Sequence, residues 1–201
     1  MCLTTCAKKP LTMPRRDATQ SEINAFLREL GRRFTGSGAL YLVGGSMLVY
    51  KGYRARTADI DYRFEARTGD DGLFVQAMRA TQRVINLNVE PASPADFIPL
   101  PQGWRDRSPF LAQHGGLAVY AFDPLSTALA KIERGQERDV DDVLALCRTG
   151  ALTIEQIVAG FDEIAPRIDT EALPRIREDD FRRKVEAFVT RASHPLNAPA
   201  P

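Results

Sequence analysis

An apolar run, Ala39-Leu40-Tyr41-Leu42-Val43, ends in Gly44-Gly45-Ser46, and a short helix candidate and Asp59-Ile60-Asp61 follow it. The run is rich in β formers, so the glycines stand at a strand-to-helix turn. Without side chains there, backbone N–H groups can approach an anion closely. The second strand candidate, residues 58–64, carries its aspartates at i and i+2. A strand has a period of two, so both carboxylates project from one face. Two carboxylates aimed the same way repel each other unless a cation lies between them. Mg²⁺ is the hard, oxygen-seeking ion that also binds triphosphates.

This order of turn and paired carboxylates resembles the nucleotidyltransferase superfamily, whose signature is a Gly-Gly/Ser turn and then Asp-x-Asp or Asp-x-Glu. A second block lies downstream. Phe122-Asp123-Pro124-Leu125-Ser126 leads to Lys131, and Arg138-Asp139-Val140-Asp141-Asp142 follows. It is similar to the toxin branch of that superfamily, the AbiEii/AbiGii-type proteins, which carry Ser-x4-Lys and then Lys-Asp-x-x-Asp. Ser126 and Lys131 match the first pattern; Asp139 and Asp142 match the second. Arg138 replaces the leading lysine, which keeps the charge and changes its geometry. The lysine-containing element that the branch places between the blocks is missing, since no lysine occurs between Lys51 and Lys131. The stretch Ser93-Pro94-Ala95-Asp96-Phe97-Ile98-Pro99-Leu100-Pro101, then Gly103-Trp104-Arg105, is similar to an uncharacterised bacterial family close to that branch.

The resemblance implies transfer of a nucleotide from an NTP to an acceptor with Mg²⁺ as cofactor. Asp59 and Asp61 would hold the metal. Gly44, Gly45 and Ser46 would hold phosphates, with Ser126, Lys131, Asp139 and Asp142 completing the nucleotide site. Lys131 would neutralise leaving-group charge as a point-charge donor. A third carboxylate is expected from Glu90 or Asp96. The implied acceptor is RNA such as tRNA, with protein modification as a variant, and a cognate antitoxin is the implied partner. The alternative is a non-catalytic protein of the same fold that binds nucleotide, RNA or a partner protein. Gly-x4-Gly-Lys-Ser/Thr is absent, which excludes a P-loop.

The rest of the chain supports an α/β (α+β) class: a small mixed-sheet nucleotidyltransferase-like core with a C-terminal helical cap. Thr19-x-x-Glu22 reads as a capping box that opens a helix with Ile23, Phe26, Leu27, Leu30 and Phe34 on one stripe. Helices are expected over 46–51, 70–84 (Leu73, Ala77 and Val84 inward), 124–134 and 137–148, and strands near 87–90 and 117–122. Residues 91–115 hold five prolines and the only tryptophan, and read as a long ordered loop. A capping box at Thr153 and Gln156 opens a further helix that Pro166 closes, and a last helix spans 179–192. The expected organisation is a flexible N-terminus (1–18), a core (19–150), a helical extension (151–192) and a flexible tail (193–201).

With a net charge of +1, bulk charge does not announce a nucleic-acid binder, although arginines surround the aspartate strand. No apolar run approaches the ~20 residues of a membrane span. Cys2-x3-Cys6 could bind metal, but no further Cys or His pair completes a zinc site, and a cytoplasmic location is expected.

Overall fold

The computed structural model describes residues 17–67, 69–171 and 176–193. The expected loose ends fall outside the described residues apart from 17, 18 and 193, as do Cys2, Cys6 and His194. In chain order the elements are α1 (Gln20–Arg33), β1 (Gly38–Val43), α2 (Gly44–Tyr50), β2 (Asp59–Ala66), α3 (Asp71–Gln82), β3 (Asn88–Pro91), a 3-10 turn (Pro94–Asp96), β4 (Phe110–His114), β5 (Leu117–Ala121), α4 (Pro124–Arg134), α5 (Glu137–Arg148), α6 (Ile154–Glu171) and α7 (Glu178–Ser193).

The five strands form one mixed sheet in the order β3-β2-β1-β5-β4. Its centre, β1, runs antiparallel to β2 and parallel to β5. β2 and β3 are parallel, and β4 and β5 form an antiparallel hairpin. The central strand is apolar without alternation because both of its faces are covered. Leu40 and Leu42 join the main core, whereas Tyr41 and Val43 pack with Trp104 and Phe122 on the opposite face. Trp104 stacks on Phe122 at 4.7 Å and so anchors the proline-rich segment. β2 alternates instead. Ile60 and Tyr62 enter the core, and Asp59 and Asp61 turn to the other face.

The helices follow from apolar stripes. In α1, Ile23, Phe26, Leu27 and Leu30 are fully buried, and the capping box at Thr19 and Glu22 is formed. α3 buries Phe74, Ala77, Met78 and Thr81, spaced i, i+3, i+4 and i+7. Of the residues expected inward, Ala77 is buried, whereas Leu73 and Val84 are exposed, Val84 lying beyond the helix. Phe74 stacks on Phe64 of β2 and meets Phe34 edge-on at 5.8 Å.

Two further expectations are corrected. The segment 91–115 is not all loop, because β4 lies within it. β4 is an edge strand with an irregular register between Phe110 and Ala112, and its sequence, Phe-Leu-Ala-Gln-His, has no β-branched residue and no clean alternation. Pro166 does not close α6, which continues to Glu171. Proline removes one backbone donor, but Ile164, Ala165 and Ile168 are buried on both sides of it, so packing carries the helix through. At the C-terminal end, α6 and α7 join through Phe161 and Phe181, whose rings meet at 5.0 Å. Both helices pack on α4. Among the described residues no helix is long and apolar enough to cross a membrane.

Candidate active site

β1 and β5 run parallel, and the helices that follow them, α2 and α4, start at the same end of the sheet. Crevices at the carboxyl ends of parallel strands are the usual ligand sites of such sheets. Here a pocket of about 290 Å³ opens between the β1–α2 turn, the start of β2, the segment after β3, and α4.

The turn needs its glycines. Gly44 has a φ of +55°, and a Cβ on Gly45 would lie 2.5 Å from Thr57 Oγ1. Both glycines line the pocket. Ser46 does not. It is fully buried, and its hydroxyl lies 2.7 Å from the Val43 carbonyl and 2.8 Å from the Asp61 carbonyl. That hydroxyl ties the turn to β2, whereas the expectation from the sequence aims it at a phosphate.

Asp59 and Asp61 share a face and line the pocket. Burial, reinforced by the Asp59 and Glu90 charges, pushes the Asp61 carboxyl up to about 6, with Arg134 and Lys131 opposing. Glu90 is the register partner of Asp61 on the neighbouring parallel strand. Asn88 Nδ2 donates to Asp59 Oδ1 at 2.6 Å and also to Glu90. Asp96 lies elsewhere. Its carboxylate accepts from Ser93 N at 2.8 Å, closing a capping box on the 3-10 turn, and it does not line the pocket. Among the described residues, no group of three or more His, Cys, Asp or Glu side chains is placed to hold a metal ion. The two same-face carboxylates, charged against each other, fit a hard divalent cation that takes its remaining oxygens from phosphate and water.

Lys131 enters from α4. It is 6% exposed, and Nζ donates to Asp139 Oδ1 at 2.9 Å and to Asp142 Oδ2 at 2.7 Å. These aspartates sit one turn apart on α5 and approach Lys131 from behind, since neither lines the pocket. Arg134 Nε donates to Asp139 Oδ2 at 2.6 Å, and Arg54 lies 3.6 Å from Asp142. Burial alone would raise the Asp139 carboxyl. The hydrogen bonds and charges of Arg134 and Lys131 outweigh burial and hold it below its ordinary value.

Ser126, expected with Lys131 in the nucleotide site, does not line the pocket. Five residues turn a helix by ~140°, so the two side chains leave on different faces. Ser126 Oγ donates to Asp123 Oδ2 at 2.7 Å, and Asp123 caps α4 while accepting the fork of Arg107. The α4 stripe on the pocket is Thr127, Ala130, Lys131 and Arg134, at i, i+3, i+4 and i+7. Thr127 and Arg134 were legible in principle, because that spacing marks one helical face. Arg54, Thr57 and Phe97 also line the pocket from irregular segments, where no periodic signal exists.

A family model described as "Nucleotidyltransferase of unknown function (DUF6036)" matches residues 21–190. The chain belongs to this nucleotidyltransferase family. The matched span takes in β1, β2, α4 and α5, and hence every wall of the pocket. No curated protein and no solved structure matches the chain.

Proposed function

We propose that this protein moves a nucleotidyl group from an NTP to a hydroxyl acceptor. One observation carries the reading: Asp59, Asp61 and Lys131 line one pocket beside the Gly44-Gly45 turn. In the reaction the acceptor oxygen forms a bond to the α-phosphorus, and the bond from that phosphorus to the bridging oxygen breaks. Pyrophosphate leaves, and the hydroxyl proton passes to water. Asp59 and Asp61 would hold Mg²⁺, which supplies charge neutralisation on the phosphates. Lys131 and Arg134 place positive charge on the opposite wall, where the leaving group collects negative charge. Asp139 and Asp142 fix the Lys131 ammonium, so less ordering is left for the moment of binding. Glu90, register partner of Asp61, is the better-placed candidate for a third carboxylate in this reading, and like Asp96 it stays off the pocket lining.

The Ser126/Lys131 and Asp139/Asp142 blocks support a toxin-like role, with RNA such as tRNA as acceptor, a cognate antitoxin as partner and the cytoplasm as location. The test is incubation with each labelled NTP, Mg²⁺ and total RNA. Label is expected in RNA. Asp61→Asn is expected to lower transfer by orders of magnitude while the protein stays folded. Near-normal transfer by that variant would overturn the metal assignment.

A second reading, a non-catalytic protein of this fold that binds nucleotide, has an observation of its own. Asn88 engages both Asp59 and Glu90, and no three-carboxylate group forms among the described residues. Stoichiometric NTP binding with no label transferred would select it.

A further inference from the structure

The three chemical walls of the pocket differ. Asp59 and Asp61 form an acidic one; Arg54, Lys131, Arg134 and Arg138 form a cationic one. The third, formed by the segment after β3, is largely apolar, through Ala92, Pro94 and Phe97. The acidic and cationic walls are matched by a metal and phosphates. The apolar wall has no role in that chemistry.

Phe97 stands out on it. Trp104 and Phe122 are buried on the same side of the sheet, but Phe97 is 45% exposed. An exposed phenyl ring at the edge of a concave polar site is a ready stacking surface. The ring also stands on a rigid base. Ser93 N donates to Asp96 Oδ2 at 2.8 Å, Ala95 N donates to Ser93 Oγ at 3.2 Å, and Phe97 N donates to the Pro94 carbonyl at 3.0 Å. Arg63 Nη1 adds a bond to Ser93 Oγ at 3.2 Å, tying the turn to β2. The Cβ of Phe97 therefore leaves a pinned turn, and little backbone freedom is lost when a partner binds.

The geometry points to Phe97 as the surface on which the base of the bound nucleotide stacks, with Asp96 as the residue that positions it. This inference rests on the nucleotide reading above. It gives Asp96 a task other than metal binding, and it gives the site a substrate preference. A stacking surface accepts every base, because each has a π-face, and it holds a two-ring base more strongly than a one-ring base. The site thus selects triphosphate strongly and base weakly, with purines ahead of pyrimidines.

The test measures binding of ATP, CTP and inorganic tripolyphosphate by calorimetry, with Mg²⁺ present, to the full chain and its variants. Phe97→Ala is expected to weaken ATP by about five- to a hundredfold, the range for one lost stacking contact, and CTP by less. Tripolyphosphate affinity is expected to stay unchanged. Phe97→Trp should retain ATP affinity, which separates stacking from simple loss of fold. Asp96→Ala should weaken ATP and spare tripolyphosphate, a split that a merely structural role would not give. Wild-type ATP affinity in Phe97→Ala overturns the inference and leaves the nucleotide reading standing. Equal losses for ATP and tripolyphosphate also overturn it, marking Phe97 as a packing residue. A wild-type chain that binds neither overturns the nucleotide reading itself, and the inference with it.

Discussion

The ammonium of Lys131 lies 2.7 Å from the Asp142 carboxylate, with side chains only 7% and 9% exposed. Breaking one side of a buried pair is costly because the other charge stays buried, typically about 3–5 kcal/mol. Here Arg134 and Arg54 remain near the two α5 carboxylates, so Lys131→Met should cost less, about 2 kcal/mol. Lys131→Met/Asp142→Leu should recover part of that stability in urea melts and none of the NTP affinity. Recovery of both in the double variant would show that the pair is scaffolding alone.

The two rivals for the third carboxylate now make separate predictions. Glu90 is the register partner of Asp61, whereas Asp96 caps its own turn. Glu90→Gln should weaken Mg²⁺ binding and transfer at least about tenfold, as expected when a hard cation loses an anionic ligand. Asp96→Asn should leave Mg²⁺ affinity unchanged in a titration followed by calorimetry. The reverse pattern would return the role to Asp96.

Asp139 makes a pH prediction. Its carboxyl sits below the ordinary value because the Arg134 and Lys131 contacts outweigh burial. A pKa depressed by folding stabilises above the unfolded value of ~4, and that contribution is lost as pH falls through the folded value. Asp139→Asn should therefore be clearly less stable than wild type at pH 7. The gap should narrow in denaturant melts as pH falls below the unfolded value of ~4. A constant gap across that fall would contradict the ion-pair account.

At the turn, Gly45→Ala would bring a Cβ to 2.5 Å from Thr57 Oγ1 and 3.3 Å from Thr57 Cβ. A β-branched neighbour cannot swing away. The variant should lose about 1–3 kcal/mol, the range for overpacking. Gly45→Ala/Thr57→Ala should recover most of it, because the closest atom is gone. A double-mutant cycle on thermal melts reads this coupling, and additive losses would rule out the contact as the cause.

How legible all this was depended on whether a residue lies on a periodic element. β1, β2, β5, α1, α4 and α5 follow from runs, alternation or stripes, so Asp59, Asp61 and Lys131 could be placed on their elements at once. Their meeting in one pocket was not written in any local pattern and came through family resemblance. Three expected residues that stay off the pocket lining share a cause. Ser46, Ser126 and Asp96 are short polar side chains beside helix or turn starts, and each satisfies backbone or cap groups that a sequence motif does not reveal. β4 stayed hidden because an edge strand has no obligation to alternate, and its pairing is irregular.

The parallel pairing of β1 with β5 sets a timetable. Gly38 finds its partner at Leu117, and Lys131, Asp139 and Asp142 are later still in the chain. Contacts between such distant stretches form slowly. As the chain is made, the glycine turn and the acidic pair emerge first and wait without their cationic counterpart. A translation product cut short before α5 would carry the carboxylates but neither of the aspartates that orient Lys131. Such a fragment would hold nearly every pocket residue and still lack the pair that fixes the Lys131 ammonium.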